Sequence, residues 1–153
     1  MSQLRSSTKK VMAEFKTGTV RANDINFHFL EMGEGPLVLC MHGFPDNAYS
    51  YRDLLPDLAR AGFRAVSPYL RGYAPTEIPR DGRYQTAHLA KDALALIDAL
   101  GTRSAFLVAN DWGARAAVGA AAAAVFRFPS VPARLTPRKP FWSASHHAGS
   151  DYE

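Results

Sequence analysis

Ile25, Phe27 and Phe29 alternate with Asn26, His28 and Leu30. Alternation of period two predicts a half-buried antiparallel strand. An earlier strand starts near Phe15, and Ala22-Asn23-Asp24 forms the turn between the two. Gly33-Glu34-Gly35-Pro36 is a turn signal, and the continuous apolar run Leu37–Met41 follows it. A run with no polar face suits a parallel strand covered on both sides. From Ser50 to Ala61, Leu54, Leu55 and Leu58 share one helical face and Gly62 supplies the stop, with Pro56 counting against the helix. Phe63–Ser67 predicts a short strand. Tyr84–Leu100 carries the clearest helical period, at Leu89, Ala93, Leu96, Ile97 and Leu100, and ends at Gly101. Ser104–Ala109 is another apolar strand, Asn110–Gly113 a sharp turn, and an alanine-rich helix is expected from about Ala114. Strands alternating with helices predict an α/β fold with crossover connections.

The domain reading follows. Residues 1–14 lack the pattern and are expected to be a flexible polar arm. Residues 15–125 form the folded core. Residues 126–153, rich in Pro, Arg and Ser, are expected to be an irregular, disordered tail. The chain has 153 residues and a formal charge of +4. After Asp111 the next acidic residue is Asp151, while Arg115, Arg127, Arg134, Arg138 and Lys139 lie between. These bases are scattered among prolines, so they are read as a solvated tail and not as a nucleic-acid surface. The single cysteine, Cys40, lies in an apolar strand; it excludes an intrachain disulfide and is not expected to be reactive. No run reaches the ~20 apolar residues of a membrane span, and no secretory signal is visible, so the cytoplasm is expected. No cluster of His, Cys and carboxylates has metal-ligand spacing; neither metal nor cofactor is expected.

The candidate chemistry lies at Asp111. A side chain at the tip of a tight strand-to-helix turn projects into a cleft, and the helix N-terminus behind it favours negative charge. Ala109, Gly113 and Ala114 are small enough for the close packing that this needs. The competing reading is an Asp that only caps the helix. A second loop, His42-Gly43-Phe44-Pro45, also follows a buried strand and precedes a helix, and their joint occurrence favours the catalytic reading.

His42-Gly43-Phe44-Pro45, Arg71-Gly72-Tyr73 and Asp111-Trp112-Gly113-Ala114 together resemble the N-terminal part of epoxide hydrolases and haloalkane dehalogenases of the α/β-hydrolase superfamily. The resemblance covers about residues 17–120. It implies an incomplete α/β-hydrolase fold, in which an N-terminal antiparallel hairpin leads into a mainly parallel sheet flanked by helices. It implies Asp111 as nucleophile, with the amides of Phe44 and Trp112 as oxyanion hole and His42, Gly43, Pro45 and Gly113 shaping the loops. Asp46 and Arg71 are given a supporting role on the same basis. The implied substrate is a small epoxide or alkyl halide, attacked to give an alkyl-enzyme ester. Phe44, where dehalogenases often carry a halide-binding Asn, leans the reading toward epoxides. The motif departs from the usual pattern at Ala109 and at Asn110, where the family often has Gly and His.

The family's later elements, a helical cap with two tyrosines and then an acid and a histidine, have no counterpart in the segment after Asp111. His146 and His147 are read as part of the tail, not as the missing base. The expectation is a truncated product, or one whose frame changes after about Ala124, unable to complete turnover. Such a chain would leave the strand before Asp111 open on one edge and prone to self-association. The alternative function is an inactive α/β fragment that acts as an interaction module.

Overall fold

The computed structural model describes residues 15–127. The hairpin at its start consists of β1 (Lys16–Ala22) and β2 (Ile25–Met32). Its two-residue turn, Asn23-Asp24, has φ of 45° and 61°. Positive φ at both positions suits the right-handed twist of the strands, and Asn and Asp are the non-glycine residues that best tolerate it. The remaining strands are β3 (Leu37–Met41), β4 (Arg64–Pro68) and β5 (Phe106–Ala109). The spatial order is β1-β2-β4-β3-β5. β2 runs antiparallel to β1 and β4, whereas β3 lies parallel between β4 and β5. The sheet is therefore mixed.

Three helices cover it: α1 (Leu54–Arg60), α2 (Thr86–Ala99) and α3 (Asp111–Arg127). The pleat of β3 sorts its side chains between two cores. Leu37, Leu39 and Met41 join a cluster with Leu89, Leu96, Ala116 and Ala120 of α2 and α3. Val38 and Cys40 face the other way, toward Leu55 of α1 and Ala48. The apolar run of this strand thus reflects a sheet filled on both faces. Cys40 is fully buried, and burial raises its thiol pKa to about 12, so the thiolate is suppressed.

Several element boundaries differ from the sequence reading; β4 is shifted by one residue, to Arg64–Pro68, and β5 begins at Phe106, two residues after Ser104. The helix expected over 50–61 is two pieces, a 3₁₀ turn at Ala48–Tyr51 and α1 from Leu54. Pro56 accounts for the break: it is tolerated in the first turn, where amides have no intrahelical partner, but not farther in. α2 begins at Thr86, two residues later than Tyr84. α3 begins at Asp111 itself and not near Ala114, because the Ala114 amide already donates to the Asn110 carbonyl at 3.2 Å. The arm at 1–14 and most of the tail, including His146 and His147, lie outside the described residues. Among the described residues, no helix is long and apolar enough to cross a membrane.

Candidate active site

The pairing of β3 with β5 brings the two candidate loops together. Met41 lies opposite Ala109 in the parallel register, so the chain leaves the sheet at His42 and at Asn110 side by side. The Asn110 amide still reaches the Met41 carbonyl, at 3.4 Å. Beyond it the backbone turns at Asp111, whose φ is +46°. This left-handed conformation costs a non-glycine residue of order 1–3 kcal/mol and persists only where surrounding packing fixes it.

Gly113 is part of that packing. A Cβ there would lie 2.1 Å from the Met41 carbonyl oxygen. Glycine is required because the first turn of α3 rests directly on the β3 backbone. On the facing loop, a Cβ at Gly43 would come within 2.7 Å of Asp111 Cβ. The loop at Gly43 therefore approaches Asp111, and the first turn of α3 the β3 backbone, more closely than a side chain permits.

The Phe44 amide donates to Asp111 Oδ2 at 2.9 Å. This bond, and after it one from the Trp112 amide, holds the Asp111 carboxyl below its ordinary pKa of 3.8, against desolvation and with a weaker pull from Arg115. Asp111 and Trp112 are exposed, and Phe44 is 67% exposed. The carboxylate is accessible to a molecule arriving from solution.

His42 is buried and supports the loop from below. Its Nε2 accepts the Leu70 amide at 3.1 Å, which leaves Nδ1 protonated and donating to the Gly43 carbonyl at 2.9 Å. Burial lowers its pKa, against smaller opposing effects of Gly43 and Asp46, and both bonds suit the neutral ring. Tyr73 packs edge-on against it at 4.6 Å. Pro45 is exposed, and its peptide bond with Phe44 is cis. Asp46 accepts the Asn47 amide and closes the loop through its own amide to the Gly43 carbonyl.

Two features were not recognised from the sequence. The Tyr51 hydroxyl lies 2.9 Å from the Met41 carbonyl and 3.0 Å from Asn110 Oδ1, donating toward both. Asn110, a departure from the family pattern, thereby ties the elbow to the 3₁₀ turn. Arg71, given a supporting role by resemblance, forms a buried ion pair with Asp92, its Nη2 donating to Oδ1 at 2.8 Å. No local spacing marks either contact, since each joins residues distant in sequence.

Comparison with known proteins decides the family. Residues 36–135 match the family model described as alpha/beta hydrolase fold. The chain belongs to this family. An epoxide hydrolase of Caballeronia sordidicola is 38% identical over 130 residues, which cover 84% of this chain and 40% of that protein. Epoxide hydrolase 2 of Siraitia grosvenorii is 42% identical over 104 residues, covering 67% of this chain and 33% of the relative. Among solved structures, an epoxide hydrolase from Vigna radiata superposes with a TM-score of 0.67 at 44% identity, over 85% of this chain and 44% of the other. This α/β-hydrolase chain thus resembles the epoxide hydrolases while spanning less than half the length of each of these proteins.

Proposed function

We propose that this chain carries the nucleophilic half of an epoxide-opening hydrolase, with Asp111 as nucleophile. The single observation behind the proposal is the Asp111 carboxylate, turned outward at the elbow and held at 2.9 Å by the Phe44 amide. The similarity to epoxide hydrolases supplies the substrate class. An Asp111 oxygen attacks an epoxide carbon, the carbon–oxygen bond of the ring breaks, and the released alkoxide takes a proton from water. The product is a hydroxyalkyl ester of Asp111. In its hydrolysis, water adds to the ester carbonyl and gives up a proton to solvent, and the oxygen facing Phe44 and Trp112 takes the negative charge. Each such amide is worth about 2.7–4 kcal/mol in the transition state. Collapse of that intermediate releases the diol and restores the carboxylate. With an alkyl halide the carbon–halogen bond breaks and halide leaves as the anion, so the ester is a simple alkyl ester and its hydrolysis releases an alcohol.

No residue among those described is assigned as the base that activates water, so the ester is expected to accumulate. Incubation with excess aryl-substituted epoxide, followed by intact-mass and peptide mass spectrometry, tests this. The expected result is one adduct of the epoxide's full mass on Asp111, absent in Asp111→Asn. An unmodified Asp111, or equal labelling of other exposed carboxylates, refutes the proposal.

A second reading rests on β5. Among the described residues this strand pairs only with β3, and its Phe106 is 61% exposed. A chain acting through this edge would self-associate and show no Asp111 adduct.

A further inference from the structure

A cleft of about 510 Å³ opens between the β1–β2 turn, the loop before α2 and the first turns of α2. Asp111, Phe44 and Trp112 do not line it. Arg21, Arg71, Arg80, Arg83 and Lys91 do, against the carboxylates of Asp24 and Asp81. The ion pairs of this region commit Arg21 to Asp24 and Glu77, and Arg71 to Asp81 and Asp92. Arg80, Arg83 and Lys91 are left without an ion pair among the described residues. The Arg80 and Arg83 side chains act on Glu77 and Asp81 only through longer-range attraction, and with Lys91 they concentrate positive potential around one concavity.

The cations stand on a braced wall. Arg71 is buried; its guanidinium grips Asp92 and also donates from Nη1 to the Arg83 carbonyl. The Arg83 amide in turn donates to Asp81 at 3.0 Å. Asn23 Nδ2 donates to Asp92 Oδ1 at 2.6 Å, tying the β1–β2 turn to the same ion pair. His88 also lines the cleft, and its Nδ1 is buried without a hydrogen-bond partner. A half-turn of the ring would exchange Nδ1 with Cδ2 and offer the unsatisfied nitrogen to the ring's other edge.

From this arrangement we infer that the cleft binds a small anion bearing a phosphate group, gripped by Arg83 and Lys91, with Arg80 at its rim and His88 beside it. A guanidinium fork matches two phosphate oxygens at once, and an ammonium neutralises the remaining charge. The inference is independent of the reaction proposed for Asp111.

Calorimetric titration of the full chain with inorganic phosphate, and separately with glycerol phosphate, provides the test. Sodium chloride at matched ionic strength is the reference. Saturable binding is expected near or below about 1 mM. Arg83→Ala and Lys91→Ala should each weaken it about tenfold, as loss of a charge-assisted hydrogen bond does. Both side chains are exposed, so circular dichroism should be unchanged in the variants. Equal affinity for the two probes assigns a free phosphate, and tighter glycerol phosphate an organic ester. Absence of saturation with both probes, equal heat from chloride, or variants that bind as the parent does would overturn the inference.

Discussion

Replacing Gly113 with alanine sets two physical effects against each other. Gly113 lies in α3, where alanine should stabilise the helix by about 1 kcal/mol. Packing predicts the reverse. The new methyl would lie 2.1 Å from the Met41 carbonyl oxygen and 2.7 Å from that of His42, whereas ordinary contact begins near 3.4 Å. Those oxygens belong to the backbone, so no rotamer relieves the overlap. α3 has to lift off the sheet, at an overpacking cost of typically 1–3 kcal/mol, which these rigid partners place at about the upper end. The expected net loss for Gly113→Ala is about 2 kcal/mol. Gly119, in the same helix, would place its methyl 2.9 Å from Ala90 Cβ and meet no other atom within 4 Å. There the two effects nearly cancel, and a change within about 1 kcal/mol is expected. Urea unfolding followed by circular dichroism measures both variants. A Gly113→Ala chain as stable as the parent, or more so, would show that α3 does not rest on the β3 backbone.

Three further outcomes are expected. Asp92→Ala leaves the buried Arg71 guanidinium without its partner and should cost about 3–5 kcal/mol in urea unfolding, much of it recovered by the apolar pair Arg71→Met and Asp92→Leu; a loss below 1 kcal/mol would contradict the burial of this pair. The Asp111 carboxyl should titrate below its ordinary 3.8. A depressed folded-state pKa contributes stability above the unfolded value, and this is lost as pH falls through the folded one; carboxyl-carbon NMR finding a midpoint at or above 3.8 would contradict the hydrogen bonds to it. Phe106→Lys places a charge on the open edge of β5 and should reduce concentration-dependent association in sedimentation velocity, whereas unchanged association would locate self-contact elsewhere.

The sheet was legible where pattern alone determines structure. The alternation of Ile25, Phe27 and Phe29 and the unbroken run Leu37–Met41 correspond to β2 and β3, with all eight of those side chains buried. Alternation and continuity of this kind follow from burial on one face or on both. Boundaries were less legible, because capping and turn closure decide them. The start of α3 depends on which carbonyl first accepts a helical amide, and that is Asn110, inside what the sequence presents as a turn. The two loops of the candidate site were visible as motifs. Their 2.9 Å contact depends on β3 and β5 being neighbours, a matter of sheet order. The Tyr51–Asn110 bond and the Arg71–Asp92 pair span 59 and 21 positions and leave no local trace.

Register is the quantity on which the site geometry depends. A slip of one residue between β3 and β5 would invert which side chains of one strand face each core and would carry Phe44 away from Asp111. In a strand with one polar face, burial of charge forbids such a slip. β3 has no polar face, since all five of its residues are buried. Hydrophobicity alone therefore specifies its register weakly, and shape has to supply the remainder. The Met41 carbonyl is the point where several constraints converge. It accepts the Asn110 amide, lies within hydrogen-bond reach of the Tyr51 hydroxyl, and leaves space only for a glycine at position 113. A slipped register would set a different carbonyl against Gly113 and break the hydrogen bonds of Asn110 to the Met41 carbonyl and to the Tyr51 hydroxyl. The residues that aim the carboxylate are thus chiefly those that pin one backbone oxygen, and most of them touch neither Asp111 nor any molecule that would react with it.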